Sequence, residues 1–320
     1  MTDDRNQTSA RAPGKIILFG EHAVVYGRPA IAVPVFQVHA EVTVAPHPGG
    51  VEIDAADIAQ RYDLRDAPAD DPIATMIERM CARLGVAPND FAVRIRSTIP
   101  VARGLGSGAA VSVAIGRALA RFFARDLPRE ELSALAYEIE KLHHGTPSGI
   151  DNTVIAFEQP VYFVKGQLIE SFRVAQPFLI AIADTGIVSP TKIAVGDVRR
   201  AWQVDRARYD ALFDQIGALA RDARAAIERG DVEALGPLMN ANQALAREIG
   251  VSSPEIEKLI DAARRAGARG AKLSGAGRGG NVIVLVDDGN RETVERALAD
   301  AGARGVIVTR VESDYQISTL

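Results

Sequence analysis

The stretch "IPVARGLGSGAAVSVAIGRAL", residues 99–119, decides the fold because it joins a glycine-rich turn to an apolar helix. Small residues at Gly104, Gly106, Ser107 and Gly108 stand directly before an alanine-rich run. Glycines let backbone N–H groups converge on one point, and the following helix adds about half a positive charge at its N-terminus. The pattern predicts an anion site, with a tightly packed helix entry as the alternative.

Three known loop motifs fit this stretch poorly. Two alanines stand where a Walker A loop needs a lysine and a hydroxyl residue. The dinucleotide pattern matches through Gly104, Gly106 and Ala109, but a second helix follows where a Rossmann fold needs a parallel strand. Leu105 stands two residues before Ser107, where the hydrolase elbow requires glycine. An NAD(P)-binding dehydrogenase therefore stays a remote alternative.

Composition excludes several classes of partner. The 320 residues are 47% hydrophobic and 24% charged with a net charge of −4, which is ordinary for globular proteins and predicts two domains. No long basic run exists for nucleic acid, and no run of about 18 apolar residues exists for a membrane span. The polar N-terminus and the single cysteine, Cys81, predict a cytoplasmic protein without disulfides.

Hydrophobic periodicity predicts an α+β chain that divides near residue 175, giving domains 1–175 and 176–320. The first is expected to contain strands at 15–20, 30–45, 91–97 and 152–164, helices at 72–84, 107–125 and between Pro128 and Gly145, and an irregular acidic segment at 51–72. The second is expected to contain helices at 196–229, 231–248, 253–267 and 290–302, and strands at "FLIAIADT", 270–274, 281–286 and 304–311. This β-α-β-β-α-β order is ferredoxin-like with extra helices.

Polar residues flank two apolar segments of the first domain. In "APGKIILFGEHAVVYG", Lys15 opens a strand, and Glu21 and His22 follow its end, which indicates either a site or a salt bridge beside a turn. In "IEKLHHGTPSGIDNTV", Asp151 follows a Pro-Ser-Gly turn. Glu140 lies near a helix C-terminus, where the helix dipole disfavours an acid, so it is either held by a cation or simply exposed.

Two further patterns have a structural interpretation as well. The adjacent pair His143 and His144 cannot share one helix face as an i, i+4 zinc pair would, so both are interpreted as structural or as substrate neighbours. The second glycine-rich segment, "KLSGAGRGGNVIVLV" at 272–286, reads by itself as a hairpin whose glycines adopt positive φ.

Taken together, "PGKIILFGEHAVVYG", "PVARGLGSGAAVSVA" and "KLSGAGRGGNVIVL" resemble the three motifs of the GHMP kinases in the family's order. "GEHAVVYG", "HGTPSGIDNTV" and "ADTGIVSPTK" are similar to the mevalonate kinase branch. The resemblance implies a two-domain fold, with an N-terminal domain like ribosomal protein S5 domain 2 and a C-terminal ferredoxin-like domain. It also favours a homodimer.

The resemblance implies a role for each motif. Asp151 matches the catalytic carboxylate, and Lys15 matches the lysine that favours the ionised acid or polarises the attacking hydroxyl. Positions associated with ATP are Pro100, Arg103, Gly104, Leu105, Gly106, Ser107, Gly108 and Ala109. Positions associated with Mg²⁺ are Ser107 and Glu140. Residues expected near the substrate are Glu21, His22, Thr191 and Lys192. Third-motif residues that support the loop are Ser274, Gly275, Gly277 and Gly279.

The chain departs from the family pattern twice. Gly108 stands where the family usually has a second serine, so Ser107 or water must serve the metal instead. Arg278 stands where a small residue is common. The activity implied is ATP-dependent phosphorylation of the 5-hydroxyl of (R)-mevalonate on the route to isoprenoids, with phosphomevalonate or homoserine kinase as the alternative.

Overall fold

The chain forms two compact units. This computed structural model describes residues 7–101, 103–144, 147–167, 169–188 and 191–313. Unit 1 comprises Met1–Gly14, Val35–Pro100 and Gly106–Glu158, and unit 2 comprises Lys15–Pro34, Val101–Leu105 and Gln159–Leu320. The chain therefore crosses between the units several times before residue 160, and the division at residue 175 stays a prediction.

Unit 1 contains four helices and a mixed sheet. The strands of the first half of the chain are β1 (Thr8–Phe19), β2 (Ala30–Pro46), β3 (Val51–Ala55), β4 (Gln60–Asp63) and β5 (Phe91–Ser97). The helices are α1 (Pro72–Leu84), α2 (Ser107–Phe122), α3 (Arg129–His144) and α4 (Ile150–Phe157). The sheet order in unit 1 is β4-β3-β5-β2, with β3 and β5 parallel and the other pairs antiparallel.

Two expectations for unit 1 are wrong. The segment predicted to be irregular contains β3 and β4, because Val51, Ile53 and Ala55 alternate as buried residues along a short strand. The segment predicted as strands from residue 152 is mostly helix α4, which is buried on most sides and therefore lacks a helical polar stripe. Only Val161–Phe163 forms the expected strand, β6.

Unit 2 contains the predicted ferredoxin-like arrangement. After β6 come β7 (Glu170–Ser171), β8 (Phe178–Asp184), β9 (Gly270–Ser274), β10 (Asn281–Val286) and β11 (Gly305–Val311). Its helices are α5 (Thr191–Val204), α6 (Arg206–Arg229), α7 (Leu235–Glu248), α8 (Pro254–Arg265) and α9 (Arg291–Asp300). Strands β8 to β11 form an antiparallel sheet in the order β11-β8-β10-β9. The single helix predicted for 196–229 is two helices, because Asp205 caps the start of α6.

Helix α7 covers the edge strand β9. The backbone N–H of Leu273 donates to Oε1 of Gln243 at 2.9 Å, and that of Ala271 donates to Oδ1 of Asn240 at 3.2 Å. These side chains satisfy edge groups that would otherwise lack partners. Strand β9 is therefore held rigidly where it leads into the glycine turn of the third family motif.

Candidate active site

The glycine turn before α2 has the conformation that an anion site requires. Gly104 and Gly106 have φ values of 81° and 74°, in the left-handed region that favours glycine. Gly106 is the N-cap of α2 and, as a glycine, supplies no side-chain cap. The first N–H groups of a helix have no partners within the helix, so they remain for an anion.

Glu140 lies against the first turn of α2, within unit 1. Its side chain is only 4% exposed, so the interpretation as a surface glutamate is wrong. A Cβ atom added to Gly108 would lie 2.8 Å from Oε1 of Glu140. The glycine that departs from the family pattern therefore makes room for this carboxylate.

Asp151 lies in the first turn of α4, whose N-cap is Gly149 with φ 93°. Two hydrogen bonds made by the next two residues fix this turn of the helix. Nδ2 of Asn152 donates to the carbonyl oxygen of Ser133 at 3.0 Å, and Oγ1 of Thr153 donates to that of Gly149 at 2.7 Å. A carboxylate in this position is favoured by the helix dipole and held on a rigid element. The side chains of His143 and His144 lie outside the described part of the chain.

Lys15 and Arg103 belong to unit 2 and are both buried. The backbone N–H of Lys15 donates to the carbonyl oxygen of Leu105 at 3.0 Å, which ties β1 to the glycine loop. Nη1 of Arg103 lies 3.6 Å from Oδ1 of Asp184, and its carbonyl oxygen accepts from Nδ2 of Asn281. These contacts fix the backbone at the start of the loop, while Pro100, in unit 1, is half-buried.

Glu21 forms a fully buried ion pair with Lys272. Nζ of Lys272 donates to Oε1 of Glu21 and, at 2.6 Å, to the carbonyl oxygen of Leu273. Burial raises the pKa of Glu21 and lowers that of Lys272, and the attraction between them opposes both shifts. A buried pair of this kind contributes little net stability, but removal of one partner leaves an expensive unpaired charge.

His22 is held in a strained, neutral state beside this pair. Its φ is 61°, and Nε2 donates to the carbonyl oxygen of Ala276 at 2.9 Å. Burial lowers the pKa of His22 to about 4. Oγ of Ser274 donates to the carbonyl oxygen of Ile17 at 2.7 Å, so the first and third motifs are joined directly within unit 2.

Two glycines of the third motif, Gly277 and Gly279, are required by close backbone approaches as well as by positive φ. Gly275, Gly277 and Gly279 have φ values of 87°, 72° and 137°. A Cβ atom at Gly279 would lie 2.8 Å from the carbonyl oxygen of Ile187, and one at Gly277 would collide with that of Val251. The turn therefore lies between two backbone segments, which explains Gly277 and Gly279 without a ligand.

The remaining predicted residues lie at the start of α5. Thr191 and Lys192 are its first two residues, and both are exposed. Sequence interpretation missed Lys272, Asp184 and Asn281. A lysine between Ala271 and Leu273 in a buried strand was the available signal, since a buried lysine needs a partner.

The described residues contain neither a helix long and apolar enough to cross a membrane nor a group of three or more His, Cys, Asp or Glu side chains that could hold a metal ion. Two family models match the chain, the GHMP kinases N terminal domain over residues 72–159 and the GHMP kinases C terminal domain over residues 223–304. The mevalonate kinase of Thermococcus sibiricus is 36% identical over 332 aligned residues, which cover 95% of this chain and 96% of that protein. The chain belongs to the GHMP kinases, in the mevalonate kinase branch.

Solved structures agree with this assignment. A crystal structure of L. major mevalonate kinase in complex with R-mevalonate is 30% identical, with a TM-score of 0.85 and coverage of 98% of this chain and 99% of that one. A phosphomevalonate kinase of Streptococcus pneumoniae shares the fold, with a TM-score of 0.83, 19% identity and coverage of 95% and 99%. The two-domain GHMP kinase fold expected from the sequence is confirmed, and membership of this kinase family implies the use of ATP.

Proposed function

We propose that this chain transfers the γ-phosphate of ATP to the 5-hydroxyl of (R)-mevalonate, giving 5-phosphomevalonate and ADP on the route to isoprenoids. The observation that carries the proposal is the likeness along 98% of the chain to a kinase crystallised with R-mevalonate. The curated relatives of Thermococcus sibiricus and other organisms, named mevalonate kinases, support the same acceptor.

The loop Gly104–Ala109 is the part of the chain that we assign to the ATP phosphates. Its glycines place backbone N–H groups at the N-terminus of α2, where the helix dipole favours an anion. Pro100 and Arg103 precede the loop, and the buried contacts of Arg103 hold the loop backbone. Phosphoryl transfer depends mainly on such positioning and on charge stabilisation.

Asp151 is the group that we assign to accept the proton of the attacking hydroxyl. Its place on a fixed helix turn suits general base catalysis, which typically contributes about 10²–10⁴-fold. Lys15, a buried cation at the start of a motif strand, is assigned to favour the ionised carboxylate or to polarise the hydroxyl. Asp151 belongs to unit 1 and Lys15 to unit 2, so their joint action is part of the proposal.

Glu140 and Ser107 are the residues that we assign to Mg²⁺. Mg²⁺ usually takes one or two protein oxygens together with phosphate oxygens, so the described residues need no larger acidic cluster to bind it. The buried carboxylate of Glu140, against the turn that begins with Ser107, provides an oxygen of the right chemistry. When bound, the ion would neutralise charge on the transferred phosphate.

Glu21, His22, Thr191 and Lys192 are assigned to the acceptor. His22 is neutral at pH 7 because burial lowers its pKa to about 4, so it offers hydrogen bonds rather than a charge. The exposed Lys192 supplies a cation for the carboxylate of mevalonate. We further assign residues 1–175 to ATP binding and catalysis, and we predict a cytoplasmic homodimer.

Release of ADP with Mg·ATP and a panel of acceptors tests the proposal. The panel contains mevalonate, phosphomevalonate, homoserine, galactose and a blank. We expect turnover with mevalonate alone. Turnover with another acceptor would refute the assigned substrate and retain the kinase class, whereas equal ADP release in every tube would indicate an ATPase.

A further inference from the structure

Arg278 occupies a backbone position that favours glycine. Its φ is 58°, in the left-handed region, and it interrupts an otherwise glycine-rich turn between Gly277 and Gly280. An ordinary residue in this conformation costs about 1–2 kcal/mol compared with glycine. Backbone strain of this kind persists only where surrounding contacts compensate for it, so the Arg278 side chain is expected to make such contacts.

The Arg278 side chain joins three segments of unit 2. Its guanidinium forms an ion pair with Asp197 of α5, and Nε donates to the carbonyl oxygen of Gly250 at 3.3 Å. Its backbone N–H donates to the carbonyl oxygen of Val251 at 2.7 Å. The glycine turn of the third motif is thereby tied to the α7–α8 connection and to α5.

Helix α5 is held mainly at its C-terminal end, where the ring of Trp202 packs against Tyr26 and its indole N–H donates to Oδ1 of Asp210 at 3.1 Å. Only Ala194 and Val198 are buried along its 14 residues, whereas Ile193 and Val204 are 60% and 89% exposed. In most helices of proteins, the burial of an apolar face supplies most of the stability. The ion pair between Arg278 and Asp197, which Asp197 shares with Arg200 of the same helix, lies about 9 Å along the axis from Thr191 and therefore ties the N-terminal half of α5 to the glycine turn of the third motif.

We propose that Arg278 is a positioning residue for the acceptor, because by holding Asp197 it fixes α5 and so the location of Thr191 and Lys192. The inference rests on the proposed function, which assigns these two residues to the anionic substrate. The arginine lies close enough to the other acceptor residues for its charge to contribute, after burial, to the lowered pKa of His22.

The variant Arg278→Gly tests the proposal because glycine removes the tie and relieves the backbone strain. We expect the KM for mevalonate to rise about 10-fold, the effect of one lost charge-assisted contact. The kcat, the KM for ATP and the melting temperature should stay close to the parental values. Asp197→Asn should reproduce the effect, the double variant should add little to it, and Arg278→Lys should restore part of it.

Amide hydrogen exchange provides a readout that does not need activity. Exchange in the first two turns of α5 should accelerate in Arg278→Gly. It should not accelerate in the matched control Arg310→Ala, whose arginine lies in β11 and pairs with Glu312. Unchanged amide exchange in α5 of Arg278→Gly would refute the claim that Arg278 fixes this helix. An unchanged KM for mevalonate in an active enzyme would overturn the positioning role. If the parental protein fails to phosphorylate mevalonate, the proposed function falls, while the exchange result still decides whether Arg278 fixes α5.

Discussion

Gly108 shows at the scale of one residue how the chain accommodates its departure from the family motif. Gly108 is the second residue of α2, and within helices glycine is ordinarily less favourable than alanine, by up to about 1 kcal/mol. Here the missing Cβ leaves room for Oε1 of Glu140, which a Cβ would approach to 2.8 Å. The position of the buried carboxylate therefore depends on the glycine, and a larger residue at position 108 must displace Glu140.

Gly108→Ala should displace the Glu140 carboxylate and weaken the proposed Mg²⁺ site. We expect the Mg²⁺ concentration for half-maximal activity to rise about 10-fold, a typical result of disturbing the surroundings of a ligand. Titration with Mn²⁺ followed by electron paramagnetic resonance should show the same loss of affinity. In a Glu140→Ala background, Gly108→Ala should have no further effect on the affinity for the metal. An additional loss of affinity there would contradict the account.

Asp151→Asn should remove the proposed proton acceptor and leave the proposed nucleotide site intact. We expect kcat to fall by more than about 10²-fold with ATP affinity unchanged, because a neutral amide cannot take the hydroxyl proton. Steady-state rates and calorimetric ATP titration measure the two quantities. The exposed Asp126→Asn serves as the matched control. Near-parental turnover of Asp151→Asn would refute the catalytic assignment.

Among the elements, those with local end signals are predicted best from sequence. Helix α1 begins after Asp71, whose side chain accepts from the N–H of Ala74 at 2.8 Å, and ends at Gly85. Both signals are local, so the predicted range 72–84 is confirmed. Helix α4 lacks side-chain caps. Six of its eight residues are buried and several are β-branched, a pattern that also fits a strand.

Contacts between distant elements are the part of the site that sequence reasoning missed. Glu21 and Lys272 are separated by 251 positions, and their pairing depends on β9 lying beside the loop after β1. No local spacing carries that information. The family motifs identified Glu21, but the lysine that compensates its charge became evident only from the packing of unit 2.

The contact between α7 and β9 tests the packing of these elements. A Cβ atom at Gly270 would lie 2.6 Å from Cα of Gly236 in α7, and backbone cannot move aside cheaply. Gly270→Ala should lower the free energy of unfolding by about 2 kcal/mol or more, as overpacking does. Gly305→Ala, in β11 with open space around it, should be neutral or slightly stabilising. Equal effects in urea titrations would contradict this view of the contact.

At the scale of the whole molecule, the buried His22 makes stability depend on pH. Burial lowers its pKa from 6.5 to about 4, so between these values the unfolded chain binds more protons at His22 than the folded chain. The free energy of unfolding should therefore fall as the pH falls from 6.5 toward 4. The pKa difference of about 2.5 corresponds to about 3 kcal/mol at the acidic end.

Urea titrations of the parental protein and of His22→Gln at pH 7 and pH 4.5 isolate this contribution. The parental protein should lose more stability on acidification than the variant, which has no imidazole to protonate. His39→Gln, at a half-buried position, is the matched control and should behave as the parental protein does. Identical pH slopes in the parental protein and in His22→Gln would refute the buried neutral state of His22.

The most direct test of the central claim is a phosphorus NMR spectrum of the product formed from Mg·ATP and (R)-mevalonate. The account predicts ADP together with an equal amount of a phosphomonoester, whose phosphorus couples to the two protons of the C5 methylene group. Formation of inorganic phosphate with unmodified mevalonate, or of an ester at another oxygen, would contradict the assignment of this chain as the kinase of the 5-hydroxyl.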